Sequence, residues 1–180
     1  MSSQLHHLEL RWRDHGTDEE PDVQILVDGR DFIDIVREWE LDIARAAGEP
    51  TLAGEYGGIP KHFAGNLARA WLNVPEPGNP LSYWEGDQVI LLACTCGELG
   101  CWPLLARVDV THHEVRWLDF EQPHRTARHD EEVIIPGGPP RARARVWNYE
   151  GFGPFVFNRG AYTSAIDHLI RTTPSGLSED

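Results

Sequence analysis

Apolar and polar positions alternate in two short stretches near the start of the chain. Leu8, Leu10 and Trp12 alternate with His7, Glu9 and Arg11, and Val23, Ile25 and Val27 repeat the pattern before Asp28-Gly29. A period of two predicts strands with one buried face, and Asp-Gly predicts a turn. The polar residues between them, which include Gly16 and Pro21, predict a loop. From Phe32 the period changes. Phe32, Ile35, Val36, Trp39 and Ile43 recur at spacings of three and four, which predicts a helix over 32–47. Asp31 is placed to cap its N-terminus and Gly48 to end it.

Residues 49–60 are rich in Gly and Pro and read as loop, and Phe63, Leu67, Ala70 and Trp71 predict a short helix entered from Pro60. Residues 73–87 read as irregular chain laid over the core through Leu81, Tyr83 and Trp84. Val89–Ala93 is continuously apolar, the pattern of a strand covered on both faces. Leu104, Ala106, Val108 and Val110 then alternate with Leu105, Arg107 and Asp109, Thr111–Glu114 reverses the chain, and Val115–Phe120 forms the next strand. These three strands predict an antiparallel meander. Gln122–Pro140 reads as a polar loop with Val133–Ile135 as an edge strand. Phe155 and Phe157 predict a last strand, and Asn158 caps a helix carrying Tyr162, Ala165, Ile166, Leu169 and Ile170 on its inner face. The expected fold is α+β in a single domain, 1–180: an antiparallel sheet with a central three-strand meander, one helix after the N-terminal strands and one C-terminal helix.

Charge narrows the range of partners. The net charge is −13, and residues 1–50 hold 13 acidic against 5 basic side chains. Nucleic acid and anionic membrane both need basic surface, so neither is an expected partner. No run of about 18 apolar residues occurs, so no membrane span is expected. The N-terminus lacks a basic segment followed by an apolar one, so cytoplasmic residence is expected, with cysteines as reduced thiols or metal thiolates. Asp31, Asp34, Glu38 and Asp42 fall at helical spacing and make an acidic ridge beside the apolar face. The ridge reads either as a solvated face partly neutralised by Arg37 and Arg45 or as a docking ridge for a basic protein partner.

All three cysteines lie in Cys94-Thr95-Cys96-Gly97-Glu98-Leu99-Gly100-Cys101, between the first two meander strands. Cys94 and Cys96 share a face of an extended chain, Gly97 and Gly100 permit a turn, and Cys101 returns toward the first two. Three sulfurs gathered in this way suit zinc, which takes four N or S ligands at about 2.0–2.3 Å. The fourth ligand would come from His124, His112, His113 or His129, or be a water. His124 is the first choice, because it follows the third meander strand. Two other readings stay open: small reduced thiols packed in a tight hairpin, and a Cys96–Cys101 pair that bridges under oxidation.

The stretch Cys94–Arg107, together with Gln122–Arg125, Trp147–Tyr149 and the segment Phe152-Gly153-Pro154-Phe155-Val156-Phe157, resembles a bacterial family of uncharacterised proteins carrying a C-x-C-G-x-x-G-C-x-P hairpin. The resemblance implies a bacterial, cytoplasmic protein and no particular activity.

Two further clusters carry charge. His124, Arg125, Arg128, His129, Asp130, Glu131 and Glu132 crowd one loop, as either a polar surface or an acid–base set. Arg141, Arg143 and Arg145 alternate with Ala142, Ala144 and Val146, so a strand would present three guanidiniums on one face. They would bind a carboxylate or phosphate, or pair with the chain's own surplus of acids. No G-x-S-x-G, H-E-x-x-H, P-loop or dinucleotide fingerprint is present. Two functions follow as expectations. One is a non-catalytic acidic protein-binding module of accessory or immunity-like type. The other is a zinc-dependent enzyme or zinc-stabilised domain built on Cys94, Cys96 and Cys101.

Overall fold

The computed structural model describes residues 4–16, 19–83, 88–125 and 147–174. In chain order these form β1 (Leu8–Arg13), β2 (Asp22–Val27), β3 (Arg30–Asp31), α1 (Phe32–Ala46), β4 (Tyr56–Gly57), α2 (Ala64–Trp71), β5 (Ser82–Tyr83), β6 (Gln88–Cys94), β7 (Leu104–Val110), β8 (Glu114–Glu121), β9 (Phe155–Asn158) and α3 (Arg159–Arg171). The fold is α+β with antiparallel sheets, and β6-β7-β8 is the expected meander. The edge strand expected at Val133–Ile135, Trp84, and the arginine row Arg141, Arg143 and Arg145 lie outside the described residues.

Two sheets share the core. A three-stranded sheet has the order β1-β2-β3, and a six-stranded sheet has the order β4-β6-β7-β8-β9 with β5 also on β6. Register shifts between Ile90 and Leu92 and between Leu105 and Arg107 curl the larger sheet, as bulges do by adding local twist. The sheets meet at both ends of the strand order. His6 bridges Phe157 of β9, and Asp22 of β2 bridges Pro60 just after β4. The second junction is close-packed: the Val23 N–H donates to the Ile59 carbonyl at 2.9 Å, and the Lys61 N–H to that of Pro21 at 2.9 Å. A Cβ on Gly58 would stand 2.1 Å from the Val23 carbonyl oxygen, so only glycine fits there.

Aromatic rings fill the space between the sheets and helices. Phe32 opens α1 and lies fully buried, with centroids 5.5 Å from Trp117 and 5.4 Å from Phe155. Phe120 and Phe152 approach to 4.8 Å. Each such pair adds about 0.5–1.5 kcal/mol beyond area burial. Tyr162, Ile166 and Leu169 of α3 close the core, and Asn158 caps that helix by accepting from the Ala161 N–H.

Helix α1 departs from its expected face. It starts and stops as read: the Asp31 carboxylate accepts from the Ile33 N–H at 2.9 Å, and Gly48 takes a φ of 78°. But its buried residues are Phe32, Ile33, Val36, Glu40 and Ala44, while Ile35, Trp39 and Ile43 are only half-buried. The helix is rolled so that a carboxylate, Glu40, sits mid-stripe and fully buried. Local partners allow it. Glu40 Oε1 accepts from the Tyr56 hydroxyl at 2.7 Å and the Tyr149 hydroxyl at 2.5 Å, and Oε2 accepts from the Gly54 N–H at 2.7 Å. These bonds tie α1 to β4 and to the bend before β9. Burial outweighs them and raises the Glu40 pKa above the ordinary carboxyl range.

Candidate metal centre and its cleft

The cysteine segment is a turn that carries β6 into β7. Strand β6 ends at Cys94, the Gly97 N–H donates to the Cys94 carbonyl at 2.9 Å, and Gly97 takes a φ of 83°. Cys94 and Cys96 are therefore gathered by a turn rather than by an extended strand. Gly97 is required by its backbone angle, whereas Gly100 has neither a positive φ nor a close neighbour. Leu99 is buried and pins the tip of the turn to the core.

Both arms of the turn are anchored. On the β6 side, β4 pairs in register with Tyr56 opposite Cys94 and Gly57 opposite Ala93. On the β7 side, the Trp102 ring stacks on His124 at 6.2 Å and 11°, and the Arg125 guanidinium lies 5.4 Å from the Trp102 centroid. Arg125 also pairs with Glu49 at 2.9 Å.

The three thiols are brought together: their Sγ atoms all lie within 4.8 Å of one another. Cys96 and Cys101 are exposed and Cys94 half-buried, so they are not packed as core thiols. Mutual hydrogen bonding splits their acidities. The Cys94 thiol and the Glu98 N–H hold Cys96 below its ordinary value, and hydrogen bonds to Cys94 and Cys96 push Cys101 up to about 11. A metal binds the thiolate form, so a cation at this cluster would displace thiol protons, the Cys101 proton being held more tightly than that of an ordinary thiol.

The expected fourth ligands are distributed differently. His124 does return beside the turn, but it stands outside the sulfur group, and its Nε2 donates to the Gly100 carbonyl at 3.1 Å. His112 and His113 sit at the far end of β7, where their exposed rings meet edge to face at 4.6 Å. A seven-residue strand puts them about 20 Å from the cysteines. His129 lies outside the described residues, as do Arg128, Asp130, Glu131 and Glu132.

Two histidines that were not expected share a cleft with Cys94 and Cys96. A cleft of about 750 Å³ opens between the cysteine turn, the β1–β2 connection and the Tyr56–His62 segment, and Cys94, Cys96, His15 and His62 all line it. His62 is clamped by Glu20: its ring Nδ1 lies 2.6 Å from Oε2, and its backbone N–H donates to Oε1 at 2.7 Å. On the same wall the buried Asp22 accepts two hydrogen bonds from Arg13, both at 2.8 Å, and one from the Gly58 N–H at 2.7 Å. Glu20 and His62 are 42 positions apart and meet only because residues 58–61 lie along residues 21–23.

The acidic ridge is internally committed. Asp31 caps α1 and accepts from the Gln24 side chain at 2.8 Å, Asp34 pairs with Arg37, Glu38 with Arg30 at 2.6 Å, and Asp42 with Arg45 at 3.4 Å. Each carboxylate thus has a partner within the chain. No helix among the described residues is long and apolar enough to cross a membrane. No family model, curated protein or solved structure matches the chain, so the thiol cluster and its cleft carry the functional reading by themselves.

Proposed function

We propose that the protein binds a thiophilic divalent cation, zinc, through Cys94, Cys96 and Cys101. The observation that carries this reading is the mutual approach of three sulfurs within 4.8 Å on an anchored turn. Tetrahedral zinc at about 2.3 Å from each sulfur sets the sulfurs about 3.8 Å apart. Closing that difference takes side-chain rotation of two exposed residues. Three protein ligands and an exposed fourth position are the pattern of a site that keeps room for water or substrate. The alternative reading, a docking ridge for a basic protein along the helix of Asp31, Asp34, Glu38 and Asp42, is supported by the exposure of Asp34, Glu38 and Asp42, whose surface pairs with Arg37, Arg30 and Arg45 contribute little.

Metal analysis of protein purified without a histidine tag tests the reading. One equivalent of zinc is expected, with all three thiols protected from a thiol reagent until a chelator is added. Cys96→Ser is expected to lower the zinc content at least several-fold. Less than a tenth of an equivalent, with three freely titratable thiols, would overturn it. A Cys96–Cys101 disulfide in protein handled without reductant would favour the oxidative pair instead.

A further inference from the structure

The wall of the cleft facing the cysteine turn has chemistry that metal binding alone does not use. Nδ1 of His62 points at the Glu20 carboxylate, which accepts its proton, so in the neutral ring Nε2 carries the lone pair. The second Glu20 oxygen holds the His62 backbone, so ring and main chain are fixed by one side chain. A carboxylate that sets the tautomer and orientation of an imidazole is the arrangement of a general base. The pair is itself exposed, with the His62 side chain 55% and the Glu20 side chain 38% accessible. It lines the same cleft of about 750 Å³ as Cys94 and Cys96, a volume that admits a small molecule. The remaining charges on the walls select the substrate. Arg13 and Asp22 cancel each other, and Glu19, Glu20 and Glu98 also line the space. Anionic substrates are therefore disfavoured.

We propose that this cleft is a hydrolytic site for an uncharged or cationic substrate with an electrophilic carbonyl-type carbon, in which His62, held by Glu20, deprotonates the attacking water. The proposal rests on the metal reading above, with the ion on Cys94, Cys96 and Cys101 supplying Lewis acidity at its open position. Water adds to the carbonyl carbon and its proton passes to His62 Nε2. The bond from that carbon to the leaving group then breaks, and His62 returns the proton to the leaving group. Nothing is oxidised or reduced. His62 is the catalytic residue of this scheme and Glu20 a positioning residue.

The test uses the full chain, zinc-loaded and zinc-free, with the uncharged ester 4-nitrophenyl acetate as probe. The rate in excess of the zinc-free protein is the quantity read. In His62→Gln this zinc-dependent rate is expected to fall at least about tenfold while zinc content is unchanged. Glu20→Gln is expected to keep zinc, lose part of the rate, and release the His62 tautomer, read from the ring ¹⁵N shifts. The anion 4-nitrophenyl phosphate is expected not to react. An unchanged zinc-dependent rate in His62→Gln overturns the proposal. Loss of zinc in that variant also overturns it, because His62 would then be a ligand. Wild-type protein that takes up no zinc removes the metal reading itself, a distinct failure seen before any rate is measured.

Discussion

Two polar centres stand on either side of β4, and they are built in opposite ways. Around Glu40 every strong group has a partner: one carboxylate accepts from two tyrosine hydroxyls and a backbone N–H, all buried. Around the cysteine turn the anchoring groups are less complete, since Trp102 Nε1 and Arg125 Nε are buried without a hydrogen-bond partner, and the Cys96 and Cys101 thiols are exposed. Tyr56 belongs to both, since its hydroxyl meets Glu40 while its backbone pairs opposite Cys94. A saturated buried network has nothing left to offer a ligand and serves the fold. Exposed donors held on a rigid support can serve binding. If that contrast is right, breaking the first centre should cost stability, and breaking the second should cost only ligand.

The largest effect is expected at the buried centre. Glu40→Ala strands two hydroxyls and one N–H in the core and is expected to destabilise the protein by about 3–5 kcal/mol, measured by urea unfolding. A loss below about 1 kcal/mol would mean that the network is not holding α1 to β4. Zinc comes next. Excess metal at a thousandfold over its Kd should stabilise the wild-type chain by about 4 kcal/mol, and this increment should vanish in Cys96→Ser. The zinc-free stability of Cys96→Ser should match wild type within about 0.5 kcal/mol, because the side chain is exposed. A variant that unfolds without metal would make the turn a structural centre like the other.

A smaller effect has a definite sign in pH. The folded-state pKa of Glu40 is raised by burial, so the native protein holds that proton at pH values where the unfolded chain has released it. Stability attributable to Glu40 is therefore greatest below its ordinary carboxyl pKa of 4.5, falls as pH rises toward the folded value, and is flat above it. Comparison of unfolding free energies of wild type and Tyr149→Phe across that window should show a steeper fall in the variant, which removes a donor to the carboxylate. Least of all, Asp34→Asn, Glu38→Gln and Asp42→Asn should each change stability by no more than about 0.5 kcal/mol, since exposed ion pairs contribute little.

Local pattern carried the strands and helices well. Alternation found β1, β2 and β7, an unbroken apolar run found β6, and the caps at Asp31 and Asn158 stand where acceptor side chains precede apolar helices. What local pattern missed is non-local. Glu40 breaks the apolar stripe of α1, so periodicity assigned the buried face to Ile35, Trp39 and Ile43. Only contacts from residues 54, 56 and 149 make a buried carboxylate affordable there. Likewise Cys-x-Cys-Gly spacing announced the thiol cluster, and the order of strands placed His124 beside it. The Glu20–His62 pair has no signature in sequence, because it depends on the edge-to-edge junction of the two sheets near Gly58. The short strand β4, which creates the junction, lies in a stretch whose glycines and prolines read as loop.

The most direct test of the account is a cobalt(II) titration of the reduced protein followed by absorption. It predicts saturation at one equivalent, with a thiolate-to-cobalt charge-transfer band in the near ultraviolet and the visible bands of a tetrahedral ion, all absent from a Cys94→Ser, Cys96→Ser, Cys101→Ser triple variant that remains folded. A wild-type spectrum without the charge-transfer band, or the same spectrum in the triple variant, would contradict it.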